Sequence, residues 1–175
     1  MKENKNQTDL LNDLQSLNVG DLAKDVFELL VANQKKFAVA ESCTGGQLSN
    51  VITNIPGISA VYAGGVCSYM NDIKINVLGV PEDVIGQFGA VSEEKALAMA
   101  TGVARLFRVD YAGSTTGYAG PEGGDARNPV GTVCVGVYSP KSEYVRKFKF
   151  SGNREAIKAS AVKAALVLLI EALQA

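Results

Sequence analysis

Apolar residues recur at two different spacings along this chain, and the alternation between them predicts an α/β order. Leu10, Leu11, Leu14 and Leu17 repeat at helical spacing and predict a short amphipathic helix. It follows a polar start, residues 1–7, read as a disordered N-terminus. Leu22, Val26, Leu29 and Leu30 predict a second helix opening near Asp21. Phe37 to Ala40 is a short apolar run, read as a buried strand that Gly45-Gly46 breaks. Leu48, Val51 and Ile52 mark a helix that stops before Pro56. Tyr62 to Tyr69 reads as a second strand, with Gly64-Gly65 as a bulge or close approach and Cys67 as core. Asn71 to Val77 predicts a short helix, and Pro81 opens a turn.

Ser92 followed by Glu93 and Glu94 predicts a helix start. A serine caps the first turn and carboxylates favour its positive end. Leu97, Ala100, Val103 and Ala104 carry that helix to about Phe107. Tyr111 to Thr116 reads as a strand running into a Gly-rich loop, Gly117 to Gly124. Val130 to Val137 and Tyr144 to Phe150 read as a hairpin around Ser139-Pro140-Lys141. Asn153 caps a last helix with Ile157, Ala161, Ala164, Leu168 and Leu169 inward. Strands alternating with helices, then one late hairpin, predict a single three-layer α/β/α domain. Its sheet is expected to be mixed and mostly parallel, and the domain to span residues 8–175.

Composition then excludes function classes. The net charge of −1 provides no electrostatic footprint for nucleic acid or an anionic membrane. No apolar stretch approaches the roughly 18 residues of a membrane span, and the polar start does not read as a signal peptide. Three cysteines in dissimilar contexts make no disulfide framework, so a cytoplasmic protein is expected. No metal site or cofactor is expected. The chain has no histidine. Ser-His-Asp and Cys-His catalysis are therefore unavailable, and a serine nucleophile would need another base.

Four segments carry candidate chemistry. Ser42-Cys43-Thr44-Gly45-Gly46 follows a strand and enters a helix. Backbone N–H groups there suit an oxyanion or a phosphate, though the same turn also serves as a plain helix cap. Cys43 beside Ser42 reads as a small packing residue, and Cys134 as core. Tyr69-x-Asn71-x-x-Lys74 places Asn71 and Lys74 on one helix face. A desolvated lysine works as a base near neutral pH, while an exposed one is only a solvated side chain. Thr115-Thr116-Gly117-Tyr118-Ala119-Gly120-Pro121-Glu122-Gly123-Gly124 is rich in small residues beyond a strand end, where open α/β sheets bind ligands, though it also reads as an ordinary surface loop. Ser151-Gly152-Asn153-Arg154 opens the last helix, and its arginine suits a phosphate.

In this order, the four segments resemble the competence/damage-inducible CinA C-terminal domain family, from about Leu22 to Leu173. Gly89-Ala90-Val91-Ser92, Gly123-Gly124 and Pro129-Val130-Gly131-Thr132-Val133 add to the match. The resemblance implies the activity of the family's stand-alone nicotinamide-nucleotide amidases. Nicotinamide mononucleotide would be hydrolysed to nicotinate mononucleotide and ammonia. It implies Ser42 as nucleophile, Lys74 as general base and Tyr69 as proton-relaying partner. Thr44, Gly45, Gly46, Asn71, Thr116, Gly117, Ala119, Gly120 and Arg154 would contact the substrate. The other reading is a non-catalytic, nucleotide-binding regulatory module. Tyr118 stands where a smaller aliphatic residue is usual, and would narrow the pocket or stack on a pyridine ring. The large N-terminal domain of full-length CinA proteins is not expected here. The expected partner is a small nucleotide, with a homo-oligomer of two or more subunits through the N-terminal helices.

Overall fold

The computed structural model describes residues 14, 16–89 and 91–175. The expected disordered start at residues 1–7 lies outside them, as does most of the Leu10–Leu17 segment. The elements run α1 (Val19–Ala32), β1 (Phe37–Glu41), α2 (Gln47–Thr53), a 3-10 turn (Ile58–Ala60) and β2 (Tyr62–Cys67). Then come α3 (Asn71–Asn76), α4 (Glu82–Phe88), α5 (Glu93–Phe107), β3 (Tyr111–Gly117), β4 (Thr132–Tyr138), β5 (Glu143–Lys149) and α6 (Arg154–Leu173).

The strands form one sheet in the order β2-β1-β3-β4-β5. β1 pairs in parallel with β2 and β3, whereas β4 pairs antiparallel with both β3 and β5. β4 therefore runs against the other four, and the sheet is mixed with most strands pointing one way. The hairpin expected around Ser139-Pro140-Lys141 is β4–β5.

Helices cover both faces, so central β1 is buried throughout. Phe37 and Val39 pack with α1, α2 and α6, whereas Ala38 and Ala40 face α5. The small residues on the second face bring α5 very near the sheet. A Cβ on Gly136 of β4 would come within 2.7 Å of the Ala96 backbone. Ser114 of β3 donates to the Ala96 carbonyl at 2.5 Å, which fixes the first turn of α5. Ser92 caps that turn by accepting from the Lys95 N–H. Asn153 caps α6 through the Ala156 N–H.

Two readings of the pattern need correction. Pro81 opens the helix α4 rather than a turn, and α4 buries no residue, which is why no apolar stripe marked it. Cys67 is exposed. β2 is an edge strand whose side chains alternate between half-buried and exposed, so its apolar run is not a core run. The register shift opposite Phe37/Ala38 skips Ala63, one residue before Gly64-Gly65; the two glycines themselves are paired and give the close approach that is the other expectation there. Gly64 has φ +139, and a Cβ there would meet the Phe107 ring at 2.9 Å.

Candidate active site

Ser42 leaves β1 at the end of a strand held from both sides. Its N–H donates to the Thr115 carbonyl of β3. Beneath it lies Glu41, 1% exposed. One carboxylate oxygen accepts from Thr44 Oγ1 at 2.7 Å and from the Gly46 and Leu48 N–H groups at 3.0 Å. The other accepts from the Ser49 N–H at 2.8 Å and Ser49 Oγ at 2.7 Å. Five donors thus converge on one buried acid, which caps the first turn of α2 from below. Thr44 gives its only proton to Glu41, so Thr115 Oγ1, 2.7 Å away, is the donor to Thr44. The turn carrying Ser42 is clamped rather than flexible. Its glycines take left-handed backbone, with φ +61 at Gly45 and +93 at Gly46.

Lys74 reaches the same region from α3 and is 2% exposed. Its Nζ donates to the carbonyls of Ser68 at 2.6 Å and Tyr69 at 2.9 Å. Ser68 is itself tied to β1, its N–H donating to the Glu41 carbonyl at 2.8 Å. Burial lowers the Lys74 amine to about 8 against a small opposing pull from Cys43. A neutral Lys74 keeps both carbonyl bonds and has a lone pair to spare. Cys43 is the opposite case. Burial pushes its thiol up to about 12, so it stays protonated and packs in the core.

A second lysine enters this site, one that sequence reasoning missed. Lys95, from the first turn of α5, is fully buried. Its Nζ donates to Asn71 Oδ1 at 2.8 Å. Burial, then the positive charge of Lys74, lower it to about 8. A signal was present in the pattern: Lys95, Met99 and Val103 share one helical face, and the latter two are core. A charge on a core stripe is either paired or functional.

Ser42, Tyr69, Asn71, Lys74, Thr116, Gly117, Ala119, Gly120 and Arg154, all expected from sequence, line one cleft of about 210 Å³. Lys95, Tyr118 and Glu122 also line it; Glu122 lies in the Gly-rich segment expected to approach a ligand, though nothing singles it out there. Arg154 donates to the Gly120 carbonyl at 2.7 Å and to the Tyr69 hydroxyl oxygen at 3.1 Å. Tyr69 is 62% exposed and stands at the cleft mouth. Its hydroxyl accepts from Arg154, which leaves its own proton to donate. Thr44, Gly45 and Gly46 border a different cleft of about 810 Å³, between the starts of α2 and α6. Lys158 and Asn153 line it too. The Ser42 turn stands between the two clefts.

No helix among the described residues is long and apolar enough to cross a membrane. The family model of the CinA C-terminal domain matches residues 19–173. A CinA-like protein of Leptospira biflexa is 41% identical over 171 residues, covering 97% of this chain and 39% of that protein. A CinA-like protein of Syntrophobacter fumaroxidans is 48% identical over 148 residues, 85% of this chain and 35% of that one. The chain thus spans well under half the length of these curated relatives. The crystal structure of a competence-damaged protein (CinA) superfamily member from Klebsiella pneumoniae superposes with a TM-score of 0.86 at 35% identity. That match covers 90% of this chain and 99% of the other. Motifs, fold and family model agree along almost the whole length, and the chain belongs to the CinA C-terminal domain family.

Proposed function

We propose that this domain is an amidohydrolase that converts nicotinamide mononucleotide to nicotinate mononucleotide and ammonia. The observation that carries the reading is the pairing of Ser42 with a buried, low-pKa Lys74 in one cleft. A histidine-free chain that activates a serine needs such a base.

In this mechanism Ser42 Oγ attacks the carboxamide carbon while Lys74 Nζ takes the hydroxyl proton. The Ser42 and Gly46 N–H groups are already committed, to Thr115 and Glu41. The oxyanion therefore falls to the Cys43 N–H, the remaining turn amide whose residue lines the cleft of Ser42 and Lys74. One such donor is worth about 3 kcal/mol of barrier. The C–N bond breaks as the leaving nitrogen gains a proton from Lys74 or Tyr69, releasing ammonia. Water then attacks the acyl-enzyme, its proton returns to Lys74, and Ser42 is regenerated with the carboxylate product. Arg154 supplies positive charge for a phosphate-bearing substrate, and Tyr118 supplies a ring face for the pyridine.

An ammonia-release assay on nicotinamide mononucleotide, nicotinamide riboside and nicotinamide tests this. Fastest turnover is expected on the mononucleotide, with Ser42→Ala folded and reduced at least ~10³-fold. Full activity in Ser42→Ala would falsify the nucleophile assignment. Tight mononucleotide binding without ammonia release over hours would replace the enzyme with a regulatory nucleotide-binding module.

A further inference from the structure

The mechanism above leaves its oxyanion with one backbone donor, the Cys43 N–H. Oxyanion sites often combine such a donor with a side-chain amide. Asn71 borders the same cleft of about 210 Å³ as Ser42 and Lys74. It opens α3 three residues before Lys74, on the same helical face. The amide therefore stands on the side of the proposed base.

What that amide can do depends on which of its two ends is held. Lys95 Nζ donates to Asn71 Oδ1 at 2.8 Å. A lysine ammonium has donors only, so the amide end that faces it is the oxygen. Turned over, the amide would set its NH2 against the ammonium, and the bond would be lost. The lysine itself is rigidly placed. It is fully buried in the first turn of α5, which the Ser92 cap and the bond from Ser114 to the Ala96 carbonyl hold in place. Met99 and Val103 continue its helix face with apolar side chains. An interior lysine held by a single amide oxygen is a costly filler, but it is an effective fixed donor. The other end of the amide, the Asn71 NH2, meets no acceptor among the described residues. Asn71 is exposed, so this free donor end is open to the cleft.

We propose that Asn71 is the second oxyanion donor, and that Lys95 is the positioning residue that keeps its NH2 toward the substrate. Both roles rest on the amidase reading above. As Ser42 Oγ bonds to the carboxamide carbon, one C–O electron pair moves onto the oxygen. That oxygen accepts from the Cys43 N–H and from Asn71 Nδ2. The pair returns to the carbon as the C–N bond breaks and ammonia leaves. Neither Asn71 nor Lys95 gains or loses a proton in the cycle.

The decisive variant is Asn71→Asp, which has nearly the same shape. Its carboxylate still accepts from Lys95, but it turns an oxygen rather than an NH2 toward the cleft. The urea midpoint is expected to hold or rise. Ammonia release from nicotinamide mononucleotide is expected to lose about 10²–10³-fold in kcat, with KM within about threefold. If Asn71 merely held Lys95 in place, this variant would keep wild-type kcat, and that result overturns the donor role. A loss carried by KM alone overturns it as well. Lys95→Met is expected to lower kcat about tenfold in the wild type, and no further in an Asn71→Ala background. Equal losses in the two backgrounds would show that Lys95 does not act through Asn71. If the wild type releases no ammonia, the amidase reading fails, and calorimetry with nicotinate mononucleotide still reports which way the amide points. Asn71→Asp is then expected to weaken binding at least ~tenfold, because two carboxylates face each other. Unchanged affinity there would mean that the NH2 does not face the ligand.

Discussion

Two regions of this domain bury charge, and they do so in opposite ways. Under the Ser42 turn, Glu41 is surrounded by five donors from Thr44, Gly46, Leu48 and Ser49. Across the cleft, Lys74 has two carbonyl acceptors and Lys95 one amide oxygen. All three side chains are 2% exposed or less. A buried charge that is fully bonded holds structure, because each donor would otherwise lack a partner. A buried charge that is under-bonded is pushed toward its neutral form, and for lysine that form is a base. The acid therefore sets where Ser42 stands, and in the proposed mechanism the lysine side supplies the group that takes its proton.

The largest expected effect separates rate from stability on the lysine side. Lys74→Met is expected to abolish ammonia release, by ~10³-fold or more, with the fold intact. Lys74→Arg is expected to fail equally, because a guanidinium does not give up its proton at usable pH. Wild type should also show a pH dependence that Lys74→Met lacks. The unfolded chain keeps the Lys74 proton up to 10.5, while the folded protein releases it near 8. Between those values the unfolded state binds more protons, so stability rises with pH. At about 1.4 kcal/mol per unit the full climb is roughly 3 kcal/mol. Urea midpoints at pH 7 to 10.5, taken as wild type minus variant, measure it. A flat difference would mean that Lys74 is not held down by burial.

On the acid side the expectation reverses. Glu41→Ala strands the Gly46, Leu48 and Ser49 N–H groups at once. A loss of about 3–5 kcal/mol is expected, the range for removing one partner from a buried charged network. Urea denaturation with an unchanged slope would report it. Residual ammonia release per folded molecule should fall too, since the Ser42 turn loses its clamp. If Glu41→Ala keeps wild-type stability, the contrast between the two regions collapses.

The same contrast explains how much of the site could be read in the sequence. The strand-to-helix turn, the Asn153 cap and the β4–β5 hairpin were legible because their signals are local. Ser42, Tyr69 and Lys74 were legible as a spaced set, and the structure brings them to one cleft. Lys95 was not, because Ser92-Glu93-Glu94 reads so well as a helix start that the next residue passes as part of its solvated turn. Only packing against β3 and β4, set by Gly136 and Ser114, turns that residue inward. Cys67 misread as core for a related reason. Strand order decides which apolar run is covered, and order is a long-range property. Glu41 looked like part of a motif, and its role as the floor of the turn depends on contacts up to eight residues away.

Thr44 gives the smallest effect and the sharpest test of where the two regions meet. A threonine in a Gly-rich turn suggests a ligand contact, yet its hydroxyl is fully buried between Glu41 and Thr115. Thr44→Val keeps the shape and removes the hydroxyl. If the hydroxyl serves the acid, stability falls by about 1.5 kcal/mol, as for a hydrogen bond to a charged group. KM for nicotinamide mononucleotide then stays within about twofold, since uniform substrate binding is untouched. A tenfold rise in KM at unchanged stability would move Thr44 to the substrate side. The clamp and the binding surface would then be one region, and Ser42 would be positioned in part by the substrate itself.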